Sequence, residues 1–198
     1  MRKKRTQTTK AKIVSAAWKL FYEQGYEDTT VDDIVYESGT SKGSFYHYFE
    51  GKDALLSSLS YLFDQKYEQL MATIDPNMNR FDQLMYLNRE LFAMIENSIS
   101  IELLTRLLSS QLVTKSEKHL LDHDRTYYKL LRSIILAGQQ SGELDTAFSV
   151  NEMVKTYALC ERAFLYDWCL VGGEYPLAEY SRRTLPLFLK GYLAPKES

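Results

Sequence analysis

Apolar positions recur with the 3.6-residue period of a helix through nearly all of the 198 residues. Ile13, Ala17, Leu20 and Phe21 fall at i, i+4, i+7 and i+8, the face of a first helix that Gly25 ends. Val14 and Trp18 widen that face, so this helix is expected to pack against two bodies. Thr30, with Asp33 three positions on, forms an approximate capping box for a second helix buried through Val31, Ile34 and Val35. Ser38-Gly39-Thr40 breaks it, and Gly39 is free to adopt a left-handed conformation. Ser41 stands at the N-cap position of a short third helix that turns Phe45 and Phe49 inward, one turn apart. A long helix is expected from Lys52 to Thr73, ahead of Asp75-Pro76. Further helices are expected at 79–97, 100–113, 117–139, 150–171 and 177–193. Ser149 with Glu152 caps the penultimate one, and Pro186 means that the last is either kinked or starts later. No alternating strand pattern, repeat or low-complexity segment interrupts this reading. The expected fold class is all-α, with an N-terminal helix-turn-helix three-helix domain over 1–51 and a larger C-terminal helical bundle over 52–198.

Composition agrees with long helices: apolar residues make up 45% of the chain, with only 4 Pro and 9 Gly. Neither a secretory leader nor a run of about 18 apolar residues is present, so the expectation is a cytoplasmic protein that does not engage a membrane. Cys160 and Cys169 are half a turn out of phase on one helix, which excludes a disulfide between them there and leaves two buried thiols. The net charge is −2 and unevenly placed. Residues 1–12 hold six Lys or Arg and no acid. Residues 1–52 carry nine basic and seven acidic residues, against fifteen and nineteen in the remainder. A basic N-terminal part on an acidic body suits a protein that meets DNA with one face only; the same arm could equally be a solvated tail.

Residues 30–49 place two short helices around a glycine turn, the arrangement whose second helix enters the major groove. With Phe45 set inward, Phe49 falls on the same side, and Gly43, Ser44, Tyr46 and His47 lie opposite. Gly43 lets a backbone approach closely, Ser44 can bond a base edge or phosphate, and Tyr46 and His47 offer polar tips on flat rings. Lys42 flanks this face, and Lys52 opens the next helix, whose N-terminal amides favour a phosphate.

The segment LFYEQGYEDTTVDDIVYESGTSKGSFYHYFEGKDALL resembles the DNA-binding motif of the TetR family of bacterial transcriptional regulators. Phe21, Gly25, Thr29, Thr30, Val31, Ile34, Gly39, Ser41, Lys42, Gly43, Phe45, Tyr46, Tyr48, Phe49, Lys52 and Leu55 match the pattern. Val35 departs from it, standing where the family usually has alanine. The dense match covers residues 10–56; the rest agrees in helix number and order. The resemblance implies DNA contact through Thr30, Ser41, Lys42, Gly43, Ser44, Tyr46, His47 and Lys52. It also implies a C-terminal body that forms a homodimer and holds a small-molecule effector. The expected function is a repressor released from a pseudo-palindromic double-stranded operator by that effector; the alternative is a TetR-like activator or co-regulator acting through a protein partner.

From Met153 to Val171, 14 of 19 residues are apolar or aromatic, so this helix has two buried sides. One is assigned to a subunit interface, with Tyr157, Leu165, Trp168 and, on the last helix, Phe188 as its residues. Asn88 and Glu161 are polar groups that interrupt apolar stripes, and a buried carboxylate needs a partner. With Tyr127 and Phe164 they form the candidate ligand-binding set; ligand, neighbouring side chains and water all remain open as partners. His119-Leu-Leu-Asp-His123 faintly echoes a zinc-protease motif. Asp replaces Glu there and no third ligand is evident, so no metal and no cofactor are expected. No Ser/His/Asp array, phosphate loop or cysteine cluster points to an enzyme.

Overall fold

The structure, a computed structural model, describes residues 8–113 and 118–195, apart from the side chains of Ser57, Leu59, Tyr61 and His119. Most of the basic arm therefore lies outside the described residues. Those described are helical almost throughout: α1 (Thr9–Glu23), α2 (Val31–Ser38), α3 (Lys42–Tyr48), α4 (Leu59–Thr73), α5 (Arg80–Ser98), α6 (Ile101–Val113), α7 (Thr126–Gln140), α8 (Val150–Leu170) and α9 (Leu177–Leu189).

Three expected elements differ. The segment Lys52–Ser58 is a 3-10 helix, and α4 starts only at Leu59. The tighter turn is held by side chains: Trp18 Nε1 donates to Ser58 Oγ (2.9 Å), and Tyr26 OH donates to Asp53. The helix drawn over 117–139 begins instead at Thr126, after a short 3-10 turn at His119–Leu121. Arg125 sets that start, because its guanidinium and the Tyr127 N–H both bind the Asp64 carboxylate of α4. The last helix runs through Pro186 and ends at Leu189; the chain then turns so that Leu193 forms an isolated antiparallel bridge with Leu144.

α1 packs against α2, α3 and the 3-10 segment, burying Ile13, Ala17 and Phe21. In the body, α5 is central and lies against α9, α7 and α4, while α8 packs on α7, α9 and α6. α7 comes very close to the turn after it at Gly138, where a Cβ would sit 2.7 Å from Leu144 Cδ1. Any larger residue there would force the α7–α8 turn outward. Cys160 and Cys169 are free and half-buried rather than buried. No described helix is long and apolar enough to cross a membrane.

Candidate DNA interface and ligand cavity

Local chemistry fixes the two short helices. Thr30 N–H and Oγ1–H both donate to Asp33 Oδ2 (2.8 and 2.6 Å), and Asp33 N–H returns a bond to Thr30 Oγ1 (3.1 Å). Those bonds hold the Asp33 carboxyl below its ordinary pKa. Gly39 takes the left-handed conformation (φ 61°) that lets the chain reverse into α3. Ser41 then caps α3, its Oγ accepting from Ser44 N–H (3.0 Å). Phe45 and Phe49 are buried with ring centroids 5.7 Å apart, fixing the roll of α3.

That roll leaves Lys42, Gly43, Tyr46 and His47 in solvent, with Ser44 half-buried. Tyr46 is 53% exposed. A Cβ on Gly43 would meet no protein atom nearer than Ser41 Oγ at 3.8 Å. Neither packing nor φ demands glycine there, which fits a role in close approach by something outside the chain. Lys42 Nζ pairs with Asp32 Oδ1 (2.7 Å) on an exposed surface, a contact readily exchanged for a phosphate.

Two findings bear on the expected DNA set. Lys52 does not stand free to meet a phosphate. Its Nζ donates to the carbonyls of Tyr26 (2.7 Å) and Glu27 (3.2 Å) and lies 4.3 Å from the Tyr26 ring centroid. Tyr36, outside that set, is 89% exposed, one helical turn beyond Asp32 on the row that touches Lys42. The available signal was an aromatic residue opposite the buried Ile34.

The reader is clasped to the body at Tyr26. The Arg106 guanidinium of α6 lies 4.9 Å from the ring centroid of Tyr26 and pairs with Glu27. Burial, together with the Asp53 bond, pushes the Tyr26 hydroxyl pKa well up.

A cavity of about 50 Å³ lies among α4, α6, α7 and α8. Phe63, Leu104, Leu107, Leu108 and Leu165 supply apolar walls, and Tyr67, Tyr127 and Glu161 a polar one. Glu161 is 4% exposed. Its Oε1 accepts from Asn88 Nδ2 (2.9 Å), and its Oε2 accepts from Tyr127 OH (2.6 Å) and, at 3.5 Å, from Tyr67 OH. Burial raises the Glu161 pKa, opposed by these hydrogen bonds. Burial, then the neighbouring Glu161 charge, raises the pKa values of Tyr67, Tyr127 and Tyr157.

The structure thus brings Asn88, Tyr127 and Glu161 together, with Asn88 bracing the carboxylate rather than lining the space. Phe164 is not with them. It points toward α5 and α9, where its ring meets Phe92 (6.3 Å) and Phe188 (6.2 Å). The cavity residues Tyr67, Arg125 and Arg162 were not foreseen; they join Glu161 only through the packing of α4, α7 and α8.

Three of the four expected interface residues are also corrected. Tyr157, Leu165 and Trp168 are buried within the protomer: Tyr157 OH donates to Leu84 O (2.8 Å), Trp168 Nε1 to Tyr175 O (2.9 Å), and Leu165 borders the cavity. Phe188 is 62% exposed, beside exposed Leu187 and Tyr180 on α9. The outward face of α8 carries Leu159, Tyr166 and Leu170. His123 is exposed, its Nδ1 3.2 Å from Arg132; the side chain of His119 lies outside the described residues.

An α3 with a polar outer face, held by a glycine turn and backed by a larger helical body, defines a helix-turn-helix DNA-binding transcriptional regulator. Residues 13–59 match the model of the bacterial regulatory proteins of the tetR family. It is 43% identical over 60 residues to the helix-turn-helix-type regulator YuxN of Bacillus subtilis (strain 168), covering 30% of this chain and 21% of that one. It is 23% identical over 183 residues to the fatty acid metabolism regulator protein of the same organism, covering 90% and 93%. Among solved structures, it is similar to Thermus thermophilus FadR, a repressor in complex with lauroyl-CoA, with TM-score 0.71, 23% identity and 96% and 97% of the two chains covered.

Proposed function

We propose that the chain is a cytoplasmic homodimeric repressor that leaves its operator when a small molecule enters the cavity beside Glu161. Residues 1–51 act as the reader and 52–198 as the body. The observation that carries the reading is α6, which forms part of the cavity wall through Leu104, Leu107 and Leu108 and grips the reader through Arg106. A ligand that enlarges a space of about 50 Å³ must displace a wall, and displacement of α6 reaches Glu27 and Tyr26 directly. Base and phosphate contact falls to Thr30, Ser41, Lys42, Gly43, Ser44, Tyr46 and His47, with Tyr36 added.

The exposed faces of α8 and α9 supply the subunit contact: Leu159, Tyr166, Leu170, Leu187 and Phe188 form an unpaired apolar surface of the kind that closes a four-helix interface about a twofold axis. Two such subunits would hold their α3 helices about one DNA turn, roughly 34–36 Å, apart.

Selection of bound duplexes from a random pool tests this. An inverted repeat with half-sites one turn apart is expected, together with a dimer in sedimentation. Monomeric protein that enriches no sequence would overturn the reading.

A further inference from the structure

We propose that the cavity takes a cationic ligand: a small apolar body carrying a positively charged nitrogen, seated against the Glu161 carboxylate and the rings of Tyr67 and Tyr127. This rests on the effector reading above and narrows it to a chemical class.

Three observations carry it. First, Glu161 has no positive partner among the described residues; every group bonded to it is a neutral amide or phenol. Neither arginine on the cavity wall is bonded to Glu161. Arg125 forms paired bonds of 3.0 Å to Asp64 and a third to Ser60 O, and Arg162 donates to Tyr128 OH at 3.4 Å. Second, Asn88, behind the carboxylate, is buried and its Oδ1 has no donor among the described residues, so the Glu161 cluster holds more acceptors than donors. Third, Tyr67 and Tyr127 lie beside the carboxylate with ring centroids 5.1 Å apart. A carboxylate flanked by aromatic rings in an otherwise apolar space is the environment in which a cation gains both Coulomb and cation–π attraction.

The same features disfavour the ligand carried by the similar Thermus protein. An acyl chain would press hydrocarbon on a carboxylate without supplying a donor, and its thioester-linked head is anionic. An ammonium group answers the excess of acceptors.

The test uses the full-length chain and three probes built on one benzyl group: benzylammonium, its uncharged isostere ethylbenzene, and phenylacetate. Binding is followed by calorimetry and by tyrosine and tryptophan fluorescence, with lauroyl-CoA as a fourth arm. The cation should bind roughly tenfold or more tightly than the isostere, with phenylacetate weakest. Glu161→Gln should abolish that preference while helix content stays at the wild-type level. Equal binding of the isostere or phenylacetate, no binding by the cation, or a preference that survives in Glu161→Gln would each overturn the proposal. The wild-type series decides the matter even if the variant misfolds. Operator release by lauroyl-CoA with no cation binding would remove the charge class and leave the effector reading standing. Failure to bind any operator would strike the effector reading instead.

Discussion

Glu161→Gln should make the protein more stable at neutral pH, and the gain should vanish in mild acid. Moving a carboxylate into the interior costs several kcal/mol, and hydrogen bonds to a charged group return about 1.5–3 kcal/mol each. Glu161 receives two of ordinary length, from Asn88 (2.9 Å) and Tyr127 (2.6 Å), and one long one from Tyr67. The bonds return about 3–6 kcal/mol against a cost of similar size, and the raised pKa puts the balance on the side of a net cost, on the order of 1–2 kcal/mol. Glutamine has nearly the same shape, accepts the Tyr127 bond and carries no charge. For a chain of this length the change corresponds to a rise of roughly 2–8 °C in melting temperature.

The pH dependence follows from the same shift. Between the ordinary value of 4.5 and its raised value in the folded state, Glu161 binds a proton more readily folded than unfolded. Its contribution to stability therefore falls as pH rises through that window and stays flat above it. The variant lacks this slope, so the two proteins should converge as pH falls toward the ordinary value of 4.5 and stay apart above the raised value. Circular dichroism melts at one fixed protomer concentration measure both, because association makes the melting point concentration-dependent. The difference between the proteins isolates Glu161 from carboxyls such as Asp33 and Glu152, whose lowered pKa values act in the opposite sense. A variant that melts below wild type at pH 8, or a gap that does not shrink as pH falls to 4.5, would refute the reasoning.

Tyr46→Ala and Lys42→Ala should fold normally and bind operator weakly; Lys42→Ala should also reduce the salt slope by about 1, read from titrations at several ionic strengths. Lys52→Ala should lower the melting temperature rather than that slope, since its ammonium is bonded to the Tyr26 and Glu27 carbonyls. Phe188→Glu should give monomers in sedimentation with helix content retained, because that side chain is exposed on the protomer. Arg106→Ala removes two exposed ion pairs, to Glu27 and Glu102, and one ring contact, together worth about 1–2 kcal/mol. It should leave ligand affinity near wild type while shrinking the ligand-induced change in operator affinity; an unaltered change would exclude α6 as the link.

What the sequence disclosed was what short-range chemistry decides. The Thr30–Asp33 box, the Gly39 reversal, the Ser41 cap and the inward Phe45 and Phe49 each depend on residues within four positions, and all are found as expected. Direction around α8 was not legible. A helix with 14 apolar residues in 19 offers several arcs of similar hydrophobicity, and only its packing on α5, α6, α7 and α9 decides which turns inward. The expectation therefore put Tyr157, Leu165 and Trp168 outside when Leu159, Tyr166 and Leu170 are there. The contacts of Lys52 were hidden for a related reason: a lysine opening a helix looks like a phosphate ligand, and Tyr26 beneath it is remote in sequence. Glu161 was recognisable as a polar break in an apolar stripe, yet its company of Asn88, Tyr67 and Tyr127 comes from three other helices.

The placing of helices also argues for which wall yields to a ligand. α5 is wedged among α4, α7 and α9, and α8 among α6, α7 and α9, so moving either disturbs several packed faces at once. α4 is pinned near its start by the Asp64–Arg125 pair, which is largely sheltered from solvent. α6 has its main packing only on α8 and on the 3-10 segment Lys52–Ser58. That segment is itself bound to the reader, through Trp18 to Ser58 and through Tyr26 to Lys52 and Asp53. Cavity expansion that displaces α6 therefore strains two links to the reader together, the Arg106 clasp and the 3-10 segment. A shift of α4 alone would strain only one. An effector too small to displace α6 should bind without releasing DNA, because a ligand shifts an equilibrium only by its difference in affinity for the two forms.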